Sequence, residues 1–521
     1  MRFEREFFET FFVGEPYGLI EAGTTSMNIV LVIADQLSAK WLSCYGTDAA
    51  HTPNLDRLAA RGTRYTHCYA NNPVCMPSRA SLFTGRSPQH HGLFYNGWEL
   101  GTDCPPLPAV LQGAGFETVG IGKFHLQCQA SGPDEDLAKY GFDRFEVTED
   151  IRCGDWLNWV EANHPDWYSH ALATSWTVEG VSEYGPERRN LVHEIEKARR
   201  THPYEVTSTE PAPTFLPEAI CQTHWITDRA LSFLHERHDQ PFFLNVSYVD
   251  PHDPYDPPAR YLDCIDADRI PRPVHCEDPR LEGALGRFRS NPFVQRHERL
   301  AEDDWITIRR HYLASLAFVD EQVGRLLDCL EERDLWASTC VIFTSDHGDM
   351  LGDHGLPTKG AWHLDACIRV PLILAGPGIP EGRVEQKRVV TNLDIFPTVT
   401  ALADCPCNVP LEGRNLVRPP GEADTSAGPN AALVETYGTY GDLDPALRAR
   451  TVVTPEARLT LFGDGSGMLF NLSDDPDETI NRFADDNVAD LRDELRNLML
   501  DMKFRQDVPL PNRNRHPWAP Y

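Results

Sequence analysis

Lysine is scarce in this chain. Seven of its 48 basic residues, at positions 40, 123, 139, 197, 359, 387 and 503, are lysine, against 78 acidic residues. The formal net charge of −30 excludes a broad basic face, so no nucleic-acid partner is expected. Long apolar runs are missing as well: no stretch reaches the ~20 residues a membrane span requires, so no membrane association is expected. The opening MRFEREFFETFFVGEPYG interrupts its apolar residues with acids, which makes it a poor signal peptide. Residues 1–26 read as an N-terminal extension, with Met27 as an alternative start. Paired cysteine spacing is absent too. Fourteen cysteines are scattered, and Cys405 and Cys407 are too close together for a zinc cluster without a second pair. These cysteines are expected to be reduced, mostly in the core of a cytoplasmic protein.

What is present is the material of a large packed protein: 41% hydrophobic residues, 11 Trp and 24 Phe. A chain of 521 residues exceeds one core and predicts a large domain plus a smaller one. Short apolar runs at 28–34, 118–122, 242–249, 340–345 and 370–375 alternate with helical patterns such as 52–61, 227–236 and 304–332. That alternation predicts an α/β fold, a large mostly parallel sheet sandwiched by helices. The main domain is expected at 27–420, with a Trp-, Pro- and His-rich insertion at about 129–217 that shapes a pocket or is a surface excursion. Residues 418–430 (RPPGEADTSAGPN) have linker character. A small C-terminal α+β subdomain at 431–521 follows, with antiparallel strands at 450–461 and 467–471 and an amphipathic helix at 488–503. The tail 506–521, with four prolines, is either a disordered end or an arm that wraps a neighbouring subunit of a homo-oligomer.

In open parallel sheets ligands bind beyond the carboxyl ends of the strands, so the residues after each predicted strand carry the functional reading. Asp35 and Gln36 follow NIVLVIA, Lys123 and His125 follow TVGIG, His252 follows FFLNVSYVDP, and Asp346 and His347 follow CVIFTS. Asp35, Gln36, Asp346 and His347 offer two carboxylates, an amide oxygen and an imidazole, a set suited to one divalent cation. One strand-terminal Asp alone is most often a turn or cap residue. Two of them, each followed by a further donor, favour the metal. The sharpest pattern is Cys75-Met76-Pro77-Ser78-Arg79 followed by ASLFTGR. Pro77 suits the first turn of a helix, which sets Cys75 just ahead of a helix N-terminus, where N–H groups and the dipole attract an anion.

These residues resemble the type I sulfatases of the alkaline-phosphatase-like superfamily, whose signature is C-x-P-S-R with a following A-S-L-x-T-G-R. TPNLDRLAARG, GKFH at 122–125, DPHDPY at 250–255, TSDHGDMLGDHG at 344–355, Lys359 with IRVPLIL, and LFNLSDDPDE at 469–478 look like that family too. The resemblance runs from Met27 to Lys503 and implies that 27–420 is catalytic. It implies that Cys75 is oxidised by a formylglycine-generating enzyme to formylglycine, an aldehyde that works as its hydrate. One hydroxyl would attack sulfur and displace the alcohol, and the other would then expel sulfate. The cation would act as Lewis acid, Arg79, Lys123 and Lys359 would neutralise the transferring group, His125 would hydrogen-bond the diol and remove its proton, and His252 would protonate the leaving oxygen. Asn96, in YNG, resembles a substrate-contacting Asn, although a type I′ turn explains Asn-Gly equally well. His363, where many relatives carry Tyr-Glu-Glu, is a weaker pocket candidate, and His90, His91 and His354 are expected to be structural.

Gln36 and His347 depart from the second Asp and the Asn of many arylsulfatases and look like the choline-sulfatase and phosphonate-monoester-hydrolase branches. The change lowers ligand charge and adds a nitrogen donor, so manganese competes with calcium. The leading expectation is a sulfuric ester hydrolase acting on a small-molecule or carbohydrate sulfate. The runner-up is a phosphonate monoester or phosphodiester hydrolase with the same nucleophile, against which Lys123 and His125 count. A binding protein without turnover is the third reading.

Overall fold

The structure, a computed structural model, describes residues 27–129, 136–405, 407, 409–417, 428–438 and 444–506. The N-terminal extension, most of the 418–430 linker and most of the tail lie outside the described residues.

Eight strands form the main sheet: β1 (Asn28–Ala34), β2 (Gly62–Tyr69), β3 (Glu117–Gly122), β4 (Arg144–Val147), β5 (Phe242–Tyr248), β6 (Thr339–Ser345), β7 (Leu372–Ala375) and β8 (Arg383–Thr391). Their order is β4-β3-β5-β1-β6-β7-β2-β8. The run from β4 to β6 is parallel throughout, and β2 and β8 pair in parallel. Only β7 runs antiparallel to its neighbours among these strands. The all-apolar strand β1 shows why this sheet is covered on both faces. Val30, Val32 and Ala34 enter one core layer, with the Gln222–Leu234 and Glu302–Glu332 helices. Ile29, Leu31 and Ile33 enter the other, with the Cys75–Thr84 and Ile395–Leu402 helices.

Two features of the main sheet differ from the sequence expectation. Strands β2, β4 and β8 were not anticipated, because GTRYTHCY, RFEV and RVEQKRVVT are half-buried and mix polar with apolar residues. The expected strand at 370–375 is shorter and runs antiparallel to β6, since the 346–371 connection stays at the edge of the sheet where β6 ends. The insertion at about 129–217 carries three α-helices among its described residues, and Asp155–Asn163, Pro165–Thr174 and Val192–Thr201 bury Trp156, Leu157, Leu172 and Ile195 in the main core.

The smaller sheet is antiparallel, β12-β11-β10-β9, from β9 (Ala432–Thr436), β10 (Ala449–Val453), β11 (Ala457–Phe462) and β12 (Gly467–Asn471). The single strand expected over 450–461 is a hairpin, broken where Thr454 N donates to Ala457 O at 2.9 Å. One face of this sheet packs on Leu495 and Met499 of the Ala489–Gln506 helix. The other packs on Phe288, Met350 and Trp362 of the larger unit. No helix among the described residues is long and apolar enough to cross a membrane. All fourteen cysteines are free thiols, nine of them buried.

Candidate functional site

Strands β3, β5, β1 and β6 are adjacent and parallel, so their carboxyl ends share one edge of the sheet. This places Lys123, His252, Asp35 and Asp346 side by side, as the strand-end reading expects. Cys75 arrives from below them as the first residue of the Cys75–Thr84 helix, every residue of which is buried. It sits inside the first turn rather than ahead of it. Asn72 Oδ1 accepts from Val74 N at 2.8 Å and Asn96 Oδ1 from Met76 N at 3.1 Å, so two side chains meet N–H groups at this helix start.

Single donor atoms from Asp35, Cys75, Asp346 and His347, all buried, lie within 4.8 Å of one another. His347 Nε2 is 3.2 Å from Cys75 Sγ and 3.8 Å from both Asp35 Oδ1 and Asp346 Oδ2. Its Nδ1 faces Gly348 O at 3.0 Å, which leaves Nε2 turned to the cluster. Arg79 spans the group: Nε is 2.8 Å from Asp346 Oδ2, Nη2 3.3 Å from Asp35 Oδ2, and Nη1 donates to Lys123 O at 2.8 Å and Ser247 Oγ at 3.0 Å. Lys123 Nζ lies 2.5 Å from Asp35 Oδ2 and 3.0 Å from Asp150 Oδ2.

Burial alone pushes the Asp35 carboxyl up, but Lys123, with help from Arg79, holds it well below the usual carboxylate range. Cys75 follows the same logic. Burial raises its thiol, and Lys123, Lys359 and His347 together hold it well below its ordinary value. Asp35 Oδ1 is buried without a hydrogen-bond partner, which is the mark of a missing positive ligand. Two carboxylates and an imidazole nitrogen gathered within 4.8 Å of one another fit a single divalent cation.

A model of the family described as sulfatase matches residues 27–405, and one described as N-sulphoglucosamine sulphohydrolase, C-terminal, matches residues 352–505. The chain belongs to the sulfatase family. It is a sulfuric ester hydrolase. Among its relatives is an uncharacterised sulfatase, YidJ, of Escherichia coli K12, 29% identical over 94% of this chain and 90% of the relative. The choline-sulfatase of Rhizobium meliloti is 30% identical over 73% of this chain and 68% of its own. A solved phosphonate monoester hydrolase of Agrobacterium radiobacter shares the fold, with TM-score 0.72 and 24% identity over 92% of this chain and 96% of that one.

In this sulfatase the remaining sequence candidates divide. Lys359 Nζ donates to Gln36 Oε1 at 2.7 Å and lies 2.5 Å from His252 Nε2. Only one of these two nitrogens can hold the proton between them. His125 adopts a left-handed backbone (φ 51°) at the end of the Lys123 turn, and its imidazole helps to hold the Cys75 thiol below its ordinary value. Gln36 is at the site, but its side chain is turned to Lys359, to Asp349 Oδ2 at 2.6 Å and to Asp253 Oδ1 at 3.3 Å, while its backbone N donates to Asp346 Oδ1 at 3.1 Å. His363 is a correction. It is buried between the two sheets with Nδ1 on Thr451 Oγ1 at 2.8 Å and Nε2 on Thr436 Oγ1 at 2.6 Å, because its segment docks β9 and β10 rather than lining the cluster. His91 and His90 are held by Ser81 and by Ser87 and Glu412, in keeping with structural roles.

Two carboxylates were missed. Asp150 Oδ2 faces Lys123 and lies 3.8 Å from His252 Nε2, and Glu149 Oε1 accepts from Phe124 N at 2.8 Å and His125 N at 2.9 Å. Both follow β4, which pairs in parallel with β3. Reading RFEV as a strand would have brought them under the same strand-end rule.

Proposed function

We propose that the chain hydrolyses a small-molecule or carbohydrate sulfate monoester at Cys75 after a formylglycine-generating enzyme has oxidised that residue to formylglycine. The observation that carries this reading is the convergence of Asp35, Cys75, Asp346 and His347 within 4.8 Å, with Arg79 and Lys123 beside them. Asp35, Asp346 and His347 would hold one divalent cation, calcium or manganese, with Gln36 as the fourth candidate ligand. The bound ion supplies Lewis acidity toward a sulfate oxygen and acidifies the nucleophile. Formylglycine supplies an oxygen nucleophile in place of the thiol.

The chain's own groups do the rest. Arg79, Lys123 and Lys359 bind the sulfate and neutralise its oxygens as charge shifts during transfer. His125, beside Cys75, takes the proton from the nucleophile's second hydroxyl. His252 returns a proton to the leaving oxygen, drawing on its contact with Lys359. Asn96 steadies the start of the Cys75 helix and faces substrate from there. Residues 27–420 form the catalytic domain and 431–521 a subdomain that borders it, a division supported by their separate sheets.

Gln36 with His347 favours one second reading, a phosphonate monoester or phosphodiester hydrolase, and Lys123 with His125 weighs against it. The test is peptide mass spectrometry around Cys75, with turnover of an aryl sulfate and an aryl phosphonate ester by the converted enzyme. Expected are an aldehyde at position 75 and faster sulfate turnover. Active protein that carries only the thiol would sink the nucleophile, and a preference for the phosphonate would reverse the two readings.

A further inference from the structure

We propose that Phe94, Trp98 and Tyr437 form a subsite for the organic part of the sulfate ester, and that it takes a neutral or anionic ring, above all a pyranose, rather than an acyclic quaternary ammonium. The proposal rests on the sulfatase reading above. Two segments clamp the start of the Cys75 helix. On one side Asn96 Oδ1 accepts from Met76 N at 3.1 Å, and Gly97 N lies 3.2 Å from Met76 Sδ. On the other side the end of β9 is tied to the residues just before Cys75, with Asn72 Nδ2 donating to Glu435 O at 2.6 Å and Glu435 N to Asn71 O at 2.9 Å. Phe94 and Tyr437 bridge these segments, their ring centroids 4.4 Å apart, and Trp98 packs edge-on against Phe94 at 5.7 Å.

The charged cluster beside this bridge is buried, whereas Trp98 is 46% exposed. A large indole fixed in the open by ring contacts, at the border of an otherwise polar reaction centre, gives the emerging alcohol half of a substrate an apolar face. Such a face accepts the C–H side of a sugar ring, a flat ring or a quaternary ammonium. Arg450 decides among them. Its guanidinium lies over the Tyr437 ring at 4.3 Å and is held there by Glu435 Oε1 at 2.7 Å. Lys503 Nζ lies 2.8 Å from the same Glu435 oxygen, so two cations share one carboxylate and the excess positive charge beside that ring repels a further cation, while a ring that carries hydroxyls or a further sulfate meets no such penalty.

The experiment compares kcat/KM of the converted full chain for N-acetylglucosamine 6-sulfate, ethyl sulfate and choline sulfate, in the wild type, Trp98→Ala and Arg450→Gln. The sugar ester is expected to be the best substrate. Trp98→Ala should lower the sugar-to-ethyl ratio about tenfold, in line with the ~1.4 kcal/mol such a ring contact contributes, and Arg450→Gln should raise the choline-to-ethyl ratio severalfold. An unchanged ratio in Trp98→Ala overturns the subsite, and a wild-type preference for choline sulfate overturns its ring selectivity. Turnover of phosphonate esters alone would overturn the sulfatase reading instead. The same Trp98→Ala ratio, taken between phenyl and ethyl methylphosphonate, then decides the subsite separately.

Discussion

Glu149 is 1% exposed and spends one carboxylate oxygen on the two N–H groups that lead from Lys123 into His125. Truncation leaves both donors buried and unpaired at about 1–3 kcal/mol each, in a turn whose His125 is already in a left-handed conformation. Glu149→Ala is therefore expected to lose about 2–5 kcal/mol of stability and to drop kcat by about 10–100-fold, whereas Glu149→Gln, which keeps an acceptor oxygen, recovers most of both. Urea unfolding and steady-state kinetics on the pair check this; equal behaviour of Ala and Gln would remove Glu149 from the positioning of His125. Asp35 poses a simpler case, since its carboxylate is the shared neighbour of Lys123, Arg79 and His347. Asp35→Asn is expected to reduce bound divalent metal and turnover together by at least about a hundredfold, measured by elemental analysis and aryl sulfate hydrolysis. Full metal content with lost turnover would take Asp35 out of the ligand set.

At the scale of the element, the strand ends decide the geometry, and β3 shows how narrowly. Gly122 closes β3 at φ +103°, and a Cβ there would lie 1.9 Å from Ser247 O of β5. No L side chain fits without parting two paired strands just before Lys123. Gly122→Ala is expected to cost about 3 kcal/mol or more and to lower kcat by about a hundredfold through displacement of Lys123, read by unfolding and by turnover. A fully active Gly122→Ala would mean that the strand end is not what sets that ammonium. Strand β4 carries the complementary lesson. Its four residues alternate polar and apolar but are too short a run to be read as a strand, yet pairing with β3 delivers Glu149 and Asp150 to the same edge as Asp35. Where a strand is buried on both faces, as β1 is, its apolar run is legible alone. Where it lies at a sheet edge, only its neighbour reveals it.

At the scale of the whole molecule, the larger and smaller sheets meet through buried polar groups as well as apolar ones. Arg458 of β11, itself buried, pairs with Glu478 and with Asp365 Oδ1 at 2.9 Å, and His363 is sealed against Thr436 and Thr451. Burial, seconded by Arg450 and Arg458, pushes the His363 imidazole down to about 3. The unfolded chain protonates this residue near pH 6.5 while the folded one does not until about pH 3, so His363 stabilises the fold above pH 6.5 and loses that contribution as pH falls toward 3. The slope is about 1.4 kcal/mol per pH unit. His363→Asn is expected to flatten the pH dependence of unfolding free energy between pH 6.5 and 4.5 by about that amount, measured by urea titration at each pH. An unaltered slope would show that His363 is protonated in the folded state.

The amino-acid sequence by itself determined the strand ends and what stands on them. Asp35, Lys123, His252 and Asp346 follow apolar runs that can only be buried strands, and Cys75 opens a helix through residues adjacent to it in the chain. Local burial and local hydrogen bonding decide such features, so they survive without knowledge of the rest. Tertiary structure alone decided which distant segments share a border. It brought Asp150 to Lys123, turned His363 away from the cluster into the seam between the sheets, and set Tyr437 beside Phe94. Those contacts join residues tens to hundreds of positions apart, and their partners are chosen by how whole layers pack, which no window of sequence contains.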